Sequence, residues 1–368
     1  MIIQYPNYKS SILNVTNSVL KHFGVEPYHN TLPEFDRYLD QGFRNVVVMV
    51  LDGMGVYNMR RALDESSFFM SHLKAEISSV LPSTTTAATT TLQSGLSPAE
   101  HGWLGWSLYF PEVGDNVNIF PNTNSCGEKA ADYNLARTFM PYKNVVDLLR
   151  EQGMDAHSVS AYGTDPIESV EEMMERVLEI CEQEGESYIY AYWAEPDHTM
   201  HETGVDSEET INWIKSLDEM VESLCGELSD TLLVVTADHG QVNIDSQLIL
   251  AHPGLVETLE HMPSVEPRCT AFAVKEGMEK QFEEEFHRAY GEDFLLFSKE
   301  EVLEKKLFGP GTANPRFEGF IGDYLAVSVS PKTLFDTPEK CRLFVGSHAG
   351  MTRDEMTVPL IVATCGDM

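Results

Sequence analysis

The sequence predicts an α/β protein with a doubly wound, mostly parallel sheet that carries helices on both faces. Apolar runs rich in β-branched residues recur along the 368-residue chain, and three of them end in aspartate or histidine. Such continuous runs are typical of strands that are buried on both faces of a parallel sheet. Helical patterns lie between the runs, and this alternation favours one sheet covered by helices on both sides.

Four core strands are predicted from the apolar runs. The runs lie within residues 43–53, 186–198, 229–240 and 356–364. Three helices are predicted between them, where apolar residues recur at helical spacing: 140–153, 169–185 and 207–229. The many acidic residues of the second helix are interpreted as its solvated face.

The pattern of predicted strands and helices changes between residues 252 and 331. This stretch is interpreted as strand, helix, short strand, helix and turn, which predicts a smaller α+β insertion or cap. The remaining residues, 1–251 plus 332–368, are predicted to form the core domain. The main sheet is expected to resume near residues 324–330 and 341–350.

The charge and the cysteines limit the partners and the compartment. With 25 basic and 58 acidic residues the net charge is −33, and such a surface repels nucleic acid and anionic lipid. No apolar stretch reaches the roughly 18 residues of a membrane span, and the N-terminus does not resemble a signal peptide. The six cysteines show no C-x-x-C spacing, so neither a zinc knot nor a disulfide framework is expected. The sequence therefore predicts a cytoplasmic protein with neither nucleic acid nor membrane partners.

Three carboxylates and three imidazoles are predicted to gather at one edge of the sheet. They are Asp52, Asp197, His201, Asp238, His239 and His348. The first five follow predicted strands, whose carboxyl ends form the usual ligand site of an open α/β sheet. The last lies in the glycine-flanked loop GSHAG. Donors of these types suit zinc, with manganese as the alternative. Each motif alone is a weak signal, and it is their shared edge that predicts a metal site.

These motifs resemble the alkaline phosphatase superfamily, and within it the nucleotide pyrophosphatase/phosphodiesterase branch. The resemblance runs from about residue 45 to residue 359, and is sharpest at VLDGMG, LPSTTTAATTTLQSGLSPAEHG, EPDHTMHETG, TADHGQ and GSHAGM. It implies two zinc ions. One would be bound by Asp197, His201 and His348. The other would be bound by Asp52, Asp238, His239 and the hydroxyl of the nucleophile.

The resemblance places the nucleophile at Thr85, within LPSTT. A threonine hydroxyl is a weak nucleophile at neutral pH, and a divalent ion lowers the pKa of an oxygen bound to it. Thr84 and Thr86 flank this position, and the sequence leaves the register among the three open. The branch also carries a phosphate-binding asparagine after its HG motif, where this chain has Trp106. Three nearby asparagines are the alternatives: Asn116, Asn118 and Asn122.

The resemblance implies a two-metal hydrolase that cleaves phosphodiester or pyrophosphate bonds through a phosphorylated Thr85. Its substrate would be a small anionic phosphate ester, with nucleotides among the options. Two alternatives stay open: a phosphomonoesterase or phosphotransferase that uses the same site, and a catalytically inactive metal-binding protein. The sequence contains no indication of the oligomeric state.

Overall fold

The computed structural model describes residues 1–366, and its strands form two large sheets and two small ones. In chain order the strands of these residues are β1 (Asn45–Leu51), β2 (Leu73–Ser78), β3 (Ser107–Phe110), β4 (Asp115–Asn118), β5 (Thr123–Asn124), β6 (Asp155–Val159), β7 (Ser187–Trp193), β8 (Thr231–Thr236), β9 (Val242–Asn243), β10 (Asp245–Leu248), β11 (Ser264–Glu266), β12 (Cys269–Phe272), β13 (Phe294–Ser298), β14 (Tyr324–Ser328), β15 (Lys332–Phe335), β16 (Gly346–Ser347) and β17 (Thr357–Cys365).

The helices of the same residues are mostly short. They are α1 (Ile12–His22), α2 (Pro33–Leu39), α3 (Val56–Ala62), α4 (Phe68–His72), α5 (Thr85–Ser94), α6 (Pro98–His101), α7 (Leu135–Phe139), α8 (Val145–Glu151), α9 (Val170–Cys181), α10 (Asp197–Thr203), α11 (Glu208–Glu227), α12 (Pro253–Val256), α13 (Glu279–Tyr290), α14 (Lys299–Lys305), α15 (Phe317–Phe320), α16 (Pro338–Leu343) and α17 (Arg353–Met356). Two 3₁₀ helices span Ile249–Ala251 and Gly291–Asp293. Within residues 1–366, none of these helices combines the length and the apolar character that a membrane crossing requires.

The main sheet has six strands in the order β2–β17–β8–β1–β7–β6. Strand β1 pairs in parallel with β7 and β8, and β6 pairs in parallel with β7. Strand β17 runs antiparallel to both β8 and β2. Every residue of β1 and β8 is buried, and because successive side chains point to opposite faces, both faces of the sheet are covered. The predicted doubly wound, mostly parallel α/β fold is therefore confirmed.

The predicted core elements appear where the apolar patterns placed them. The four core strands are β1, β7, β8 and β17, and the three predicted helices are α8, α9 and α11. Helices α9 and α11 each begin after a serine, Ser169 and Ser207, whose side chain accepts a hydrogen bond from a backbone N–H three residues later. Such caps satisfy a donor that the first turn of a helix leaves free, and so define where each helix begins.

The second large sheet has seven strands in the order β13–β14–β12–β11–β3–β4–β5. Four of them come from the predicted insertion, 252–331, whereas β3, β4 and β5 precede it in the chain. The boundaries of the insertion stay a prediction. Two expectations about the main sheet are wrong: β14 belongs to the second sheet, and residues 338–343 form α16. An apolar run predicts a strand, but its pairing partner depends on residues far away in the chain.

A disulfide joins Cys225 of α11 to Cys365 of β17. The cysteine spacing did not predict this bond, because the two residues lie 140 positions apart in the chain. Disulfides persist mainly in oxidising compartments. The cytoplasmic location expected from the sequence stays a prediction.

Candidate active site

The three predicted aspartate ligands lie at one edge of the main sheet. Asp52 directly follows β1, Asp238 lies just beyond β8, and Asp197 begins α10 shortly after β7. These strands are parallel neighbours, so their carboxyl ends meet. The backbone N–H of Asp197 donates a hydrogen bond to the carbonyl oxygen of Asp52 at 3.1 Å. The N–H of Gly53 donates to Oδ1 of Asp238 at 3.2 Å. The three strand ends are thus tied directly to one another.

The remaining four predicted residues reach this edge from separate elements. His239 follows Asp238 in the chain, and His201 lies one turn along α10. Thr85 is the first residue of α5. His348 follows β16, which pairs with β9 and so carries its loop to the end of β8. The structure therefore brings all seven predicted site residues to one place.

The first group of side chains, here called the Asp52 cluster, consists of Asp52, Thr85, Asp238 and His239. The Nε2 atom of His239 lies 3.3 Å from Oδ1 of Asp52 and 3.4 Å from Oδ2 of Asp238. The Thr85 hydroxyl lies 3.4 Å from Oδ2 of Asp52 and 3.3 Å from Nε2 of His239. One hydroxyl, two carboxylates and one imidazole thus surround a common point.

The second group, the Asp197 cluster, consists of Asp197, His201 and His348. Oδ2 of Asp197 lies 3.3 Å from Nε2 of His201, and its Oδ1 lies 3.8 Å from Nε2 of His348. The two clusters adjoin, because the rings of His239 and His348 stack with their centroids 3.9 Å apart. Asp197, His239 and His348 are themselves close enough to hold one metal ion together, as are Asp52, Asp238 and His239.

The geometry distinguishes among the three candidate hydroxyls. Thr84 donates its hydroxyl hydrogen to Oε1 of Glu266 at 2.7 Å. The Thr86 hydroxyl is fully buried and has no hydrogen-bond partner within the described residues. Only the Thr85 hydroxyl, among these three, contacts Asp52 and His239. The sequence left open which of the three threonines lies at the site, and these contacts place Thr85 in the Asp52 cluster.

The carboxylates of both clusters are buried, and each has an oxygen that no protein group satisfies. In residues 1–366, Oδ1 of Asp52, Oδ1 of Asp197 and Oδ2 of Asp238 are fully buried and accept no hydrogen bond. Burial, with repulsion from Asp238 and Asp197, raises the pKa of Asp52 well above its usual range. Burial also raises the pKa of Asp238. Buried, mutually repelling carboxylates with free oxygens are costly unless cations bind them.

Asp197 shows the opposite effect because imidazoles face it. Burial alone would raise its pKa, but the attraction of His201 and His348 outweighs burial and lowers the pKa below the usual range. The same pairing raises the pKa of His201 against the effect of burial. For His348, burial and repulsion from His239 dominate, and its pKa is lowered well below the usual value.

The three imidazoles are oriented by backbone carbonyls. The Nδ1 atoms of His201, His239 and His348 lie 2.9, 3.1 and 3.2 Å from the carbonyl oxygens of residues 346, 240 and 83. A carbonyl can only accept, so Nδ1 of His239 and Nδ1 of His348 carry the hydrogen, and Nε2 of each ring keeps a lone pair for a metal. Nδ1 of His201 also lies 2.9 Å from the amide nitrogen of Gln241. These Nε2 atoms are the ones that face the aspartates. Together with the unsatisfied carboxylate oxygens, they form a donor set that fits divalent metal ions.

Two further residues complete the site, and the sequence reasoning missed both. The Tyr192 hydroxyl, from β7, donates a short hydrogen bond to Oδ2 of Asp52. Burial and the Asp52 charge raise the pKa of Tyr192 well above its usual value, so it keeps the proton that it donates. Glu266 ends β11 and is buried beside Thr84. Its only sequence signal was an acidic residue beside Val265 in a short strand, and that strand lies in the predicted insertion.

The side-chain amides of the three asparagines considered as phosphate ligands donate hydrogen bonds to other parts of the protein. Asn116 donates to the carbonyl oxygens of residues 262 and 263. Asn118 bonds to Thr123 and to the backbone of residue 124 within its own hairpin, and Asn122 bonds to the backbone of Tyr133. Trp106, at the position where the resemblance expects asparagine, has a half-exposed ring.

The family model for type I phosphodiesterase/nucleotide pyrophosphatase matches residues 46–342. The chain belongs to this family. The family depends on divalent metals. Two groups of side chains in the described residues could each hold such an ion: Asp52, Asp238 and His239, and Asp197, His239 and His348. The match contains every predicted site residue except His348, which follows its end. No curated protein sequence matches this member of the phosphodiesterase family.

Solved structures show the same fold. Human ectonucleotide pyrophosphatase/phosphodiesterase 5 is 16% identical, with a TM-score of 0.64 over 86% of this chain and 87% of that chain. The murine protein, as an inactive threonine-to-alanine variant in complex with AMP, is 15% identical with a TM-score of 0.64 over the same shares. Phosphonoacetate hydrolase from Sinorhizobium meliloti, in complex with phosphonoformate, is 19% identical with a TM-score of 0.63 over 87% and 90%.

Proposed function

We propose that this protein is a metal-dependent hydrolase that cleaves phosphodiester or pyrophosphate bonds, with Thr85 as its nucleophile. The main support is the position of the Thr85 hydroxyl between Asp52 and His239, at the N-terminus of the ten-residue helix α5. Family membership supports the reaction class. The murine relative supports the use of a threonine, since a threonine-to-alanine variant of it is inactive, and its complex with AMP supports a nucleotide among the substrates.

The donor set supports two bound ions, zinc first and manganese as the alternative. Asp52, Thr85, Asp238 and His239 would hold one ion. Asp197, His201 and His348 would hold the other. When bound, such ions lower the pKa of a nearby hydroxyl and offset the charge of the phosphate group.

The proposed reaction at Thr85 has two steps. In the first step Oγ1 of Thr85 forms a bond to phosphorus and loses its proton to solvent. The bond to the leaving oxygen breaks, and that oxygen keeps the electron pair and takes a proton from water. In the second step water attacks phosphorus and releases a proton to solvent, the bond to Thr85 breaks, and Oγ1 keeps the electron pair and takes a proton from solvent, which restores the hydroxyl. The start of α5 favours the negative phosphate throughout, because its first N–H groups and its dipole face the group.

Replacing Thr85 with Ala tests this function directly. Turnover of bis-p-nitrophenyl phosphate should fall by at least about 10³-fold, since a nucleophile has no substitute in this mechanism. The metal content of the variant, measured by mass spectrometry, should keep both ions. Thr86→Ala is the matched control, because the Thr86 hydroxyl has no partner within the described residues. Unchanged activity in Thr85→Ala would show that Thr85 is not the nucleophile.

The same assay separates the alternatives. A phosphomonoesterase or phosphotransferase would prefer p-nitrophenyl phosphate over the diester. A catalytically inactive metal-binding protein would bind metal but turn over neither ester. The proposed diesterase prefers bis-p-nitrophenyl phosphate.

A further inference from the structure

Glu266 adds a fourth carboxylate beside the site. Its Oε1 accepts two hydrogen bonds of 2.7 Å, from the hydroxyl of Thr84 and from the backbone N–H of Trp106. Thr84 is the residue directly before Thr85. Burial raises the pKa of Glu266, and the two short hydrogen bonds to one oxygen act against this effect, because an ionised oxygen is the stronger acceptor. The side chain is only 8% exposed, so water does little to screen its charge.

The backbone holds Glu266 in one place. Val265, the residue before it, has φ of +77°, a conformation that β-branched residues rarely adopt. Its carbonyl packs against Gly105, where a Cβ atom would lie 2.6 Å from the Val265 oxygen. Glu266, at the end of β11, thus binds both the residue before α5 and the loop of Trp106. The strained backbone of Val265 and its close contact with Gly105 hold Glu266 in this position. Such strain persists where the surroundings fix it, and it is concentrated at functional sites.

We infer that Glu266 determines which charge state of phosphate this site accepts: its carboxylate disfavours a doubly charged monoester and so selects the singly charged phosphate of a diester. The inference rests on the proposed function, since it concerns the phosphate that Thr85 attacks. A monoester at pH 8 carries one negative charge more than a diester. Glu266 binds Thr84, the residue next to the nucleophile, so the extra charge is repelled by a buried, weakly screened carboxylate, and one unit charge there changes affinity by about tenfold.

The substitution Glu266→Gln tests the role of the charge. The amide oxygen can still accept from Thr84 and Trp106, and the side-chain volume is kept. At pH 8, the ratio of kcat/KM for bis-p-nitrophenyl phosphate to that for p-nitrophenyl phosphate should fall about tenfold. Glu318→Gln is the matched control, because it changes the net charge equally on an exposed helix and should leave the ratio unchanged. An unchanged ratio in Glu266→Gln overturns the inference.

A second variant and a binding measurement separate charge from structure. Glu266→Asp keeps the charge, so it should keep the substrate ratio within about threefold. Equal loss of preference in both variants would mean that shape, not charge, is responsible, and would overturn the inference. Inorganic phosphate, mostly a dianion at pH 8, should bind metal-loaded Glu266→Gln about tenfold more tightly in calorimetry. Equal phosphate affinity in the unchanged protein and in Glu266→Gln also overturns it.

The outcomes for the two proposals are distinguishable. If Thr85→Ala leaves diester turnover unchanged, the proposed function fails and the inference fails with it. If turnover depends on Thr85 but the substrate ratio is the same in Glu266→Gln as in the unchanged protein, the proposed function stands and the inference alone fails.

Discussion

The contact between Gly55 and Gly240 sets the spacing of the Asp52 cluster. Gly55 lies three residues after Asp52, and Gly240 directly follows His239. A Cβ atom added to Gly55 would lie 2.5 Å from Cα of Gly240 and 3.1 Å from its nitrogen. Both obstacles are backbone atoms, so no side chain can rotate away. We predict that Gly55→Ala separates the loop of Asp52 from the loop of Asp238 and His239.

The size of the effect follows from these distances. Ordinary contact for a Cβ atom begins at 3.4 Å, so the two loops must move apart by about 1 Å. That displacement is a large fraction of the 3.3 Å that separates Oδ1 of Asp52 from Nε2 of His239. A misplacement of about 1 Å in a catalytic constellation costs on the order of 10²-fold in rate. We therefore expect kcat for bis-p-nitrophenyl phosphate to fall about 100-fold.

The assay combines turnover with metal content. Gly55→Ala should lose affinity for the ion of the Asp52 cluster while the ion of the Asp197 cluster stays bound, so the metal content should approach one ion per chain. Gly226→Ala is the control: Gly226 lies in α11 with nothing within 4 Å of an added Cβ. It should be as active as the unchanged protein and about 1 kcal/mol more stable. Full activity and two bound ions in Gly55→Ala would refute the reasoning.

Two further predictions concern stability. Arg268 is fully buried and donates to both carboxylate oxygens of Glu355 at 2.7 and 2.8 Å. Arg268→Met should therefore lower the free energy of unfolding in urea by about 3–5 kcal/mol, because it leaves a buried charge unpaired. The exposed pair of Arg288 provides the control, and Arg288→Met should cost at most about 1 kcal/mol; a similar small loss for Arg268→Met would contradict the prediction. His101 is buried, its Nδ1 accepts the backbone N–H of Trp103, and burial lowers its pKa to about 3. Since the unfolded chain takes up a proton near pH 6.5 and the folded chain does not, stability from this group is complete above pH 6.5 and falls by about 1.4 kcal/mol per pH unit as the pH drops towards 3. Urea unfolding at pH 5 and 7 should show a steeper decline for the unchanged protein than for His101→Asn, and equal declines would contradict the assignment.

The main sheet and the ligand positions could be predicted from the sequence because both rest on local patterns. In a strand such as β1, with all seven residues buried, every residue after Asn45 is apolar. The polar residue that ends such a strand, Asp52, then lies at the edge where neighbouring parallel strands also end. The order of apolar runs and the residues that follow them therefore contain most of the information needed to assemble the site.

The rest depends on contacts between distant residues, which local patterns do not contain. Strand β14 is as apolar as a main-sheet strand, but it pairs with β12 and β13 instead. Glu266 reaches the site only because β11 pairs with β3 at Val265 and Ser107. The Cys225–Cys365 bond likewise needs α11 and β17 to be neighbours first.

Anomalous X-ray diffraction from crystals of the active protein tests the central claim most directly. Data collected at the zinc and manganese absorption edges would locate any bound ions and identify the element. Our account predicts two peaks, one against Asp52, Asp238 and His239 and the other against Asp197, His201 and His348, with Thr85 beside the first. A metal-free site in protein that still hydrolyses bis-p-nitrophenyl phosphate in the presence of a chelator would contradict it.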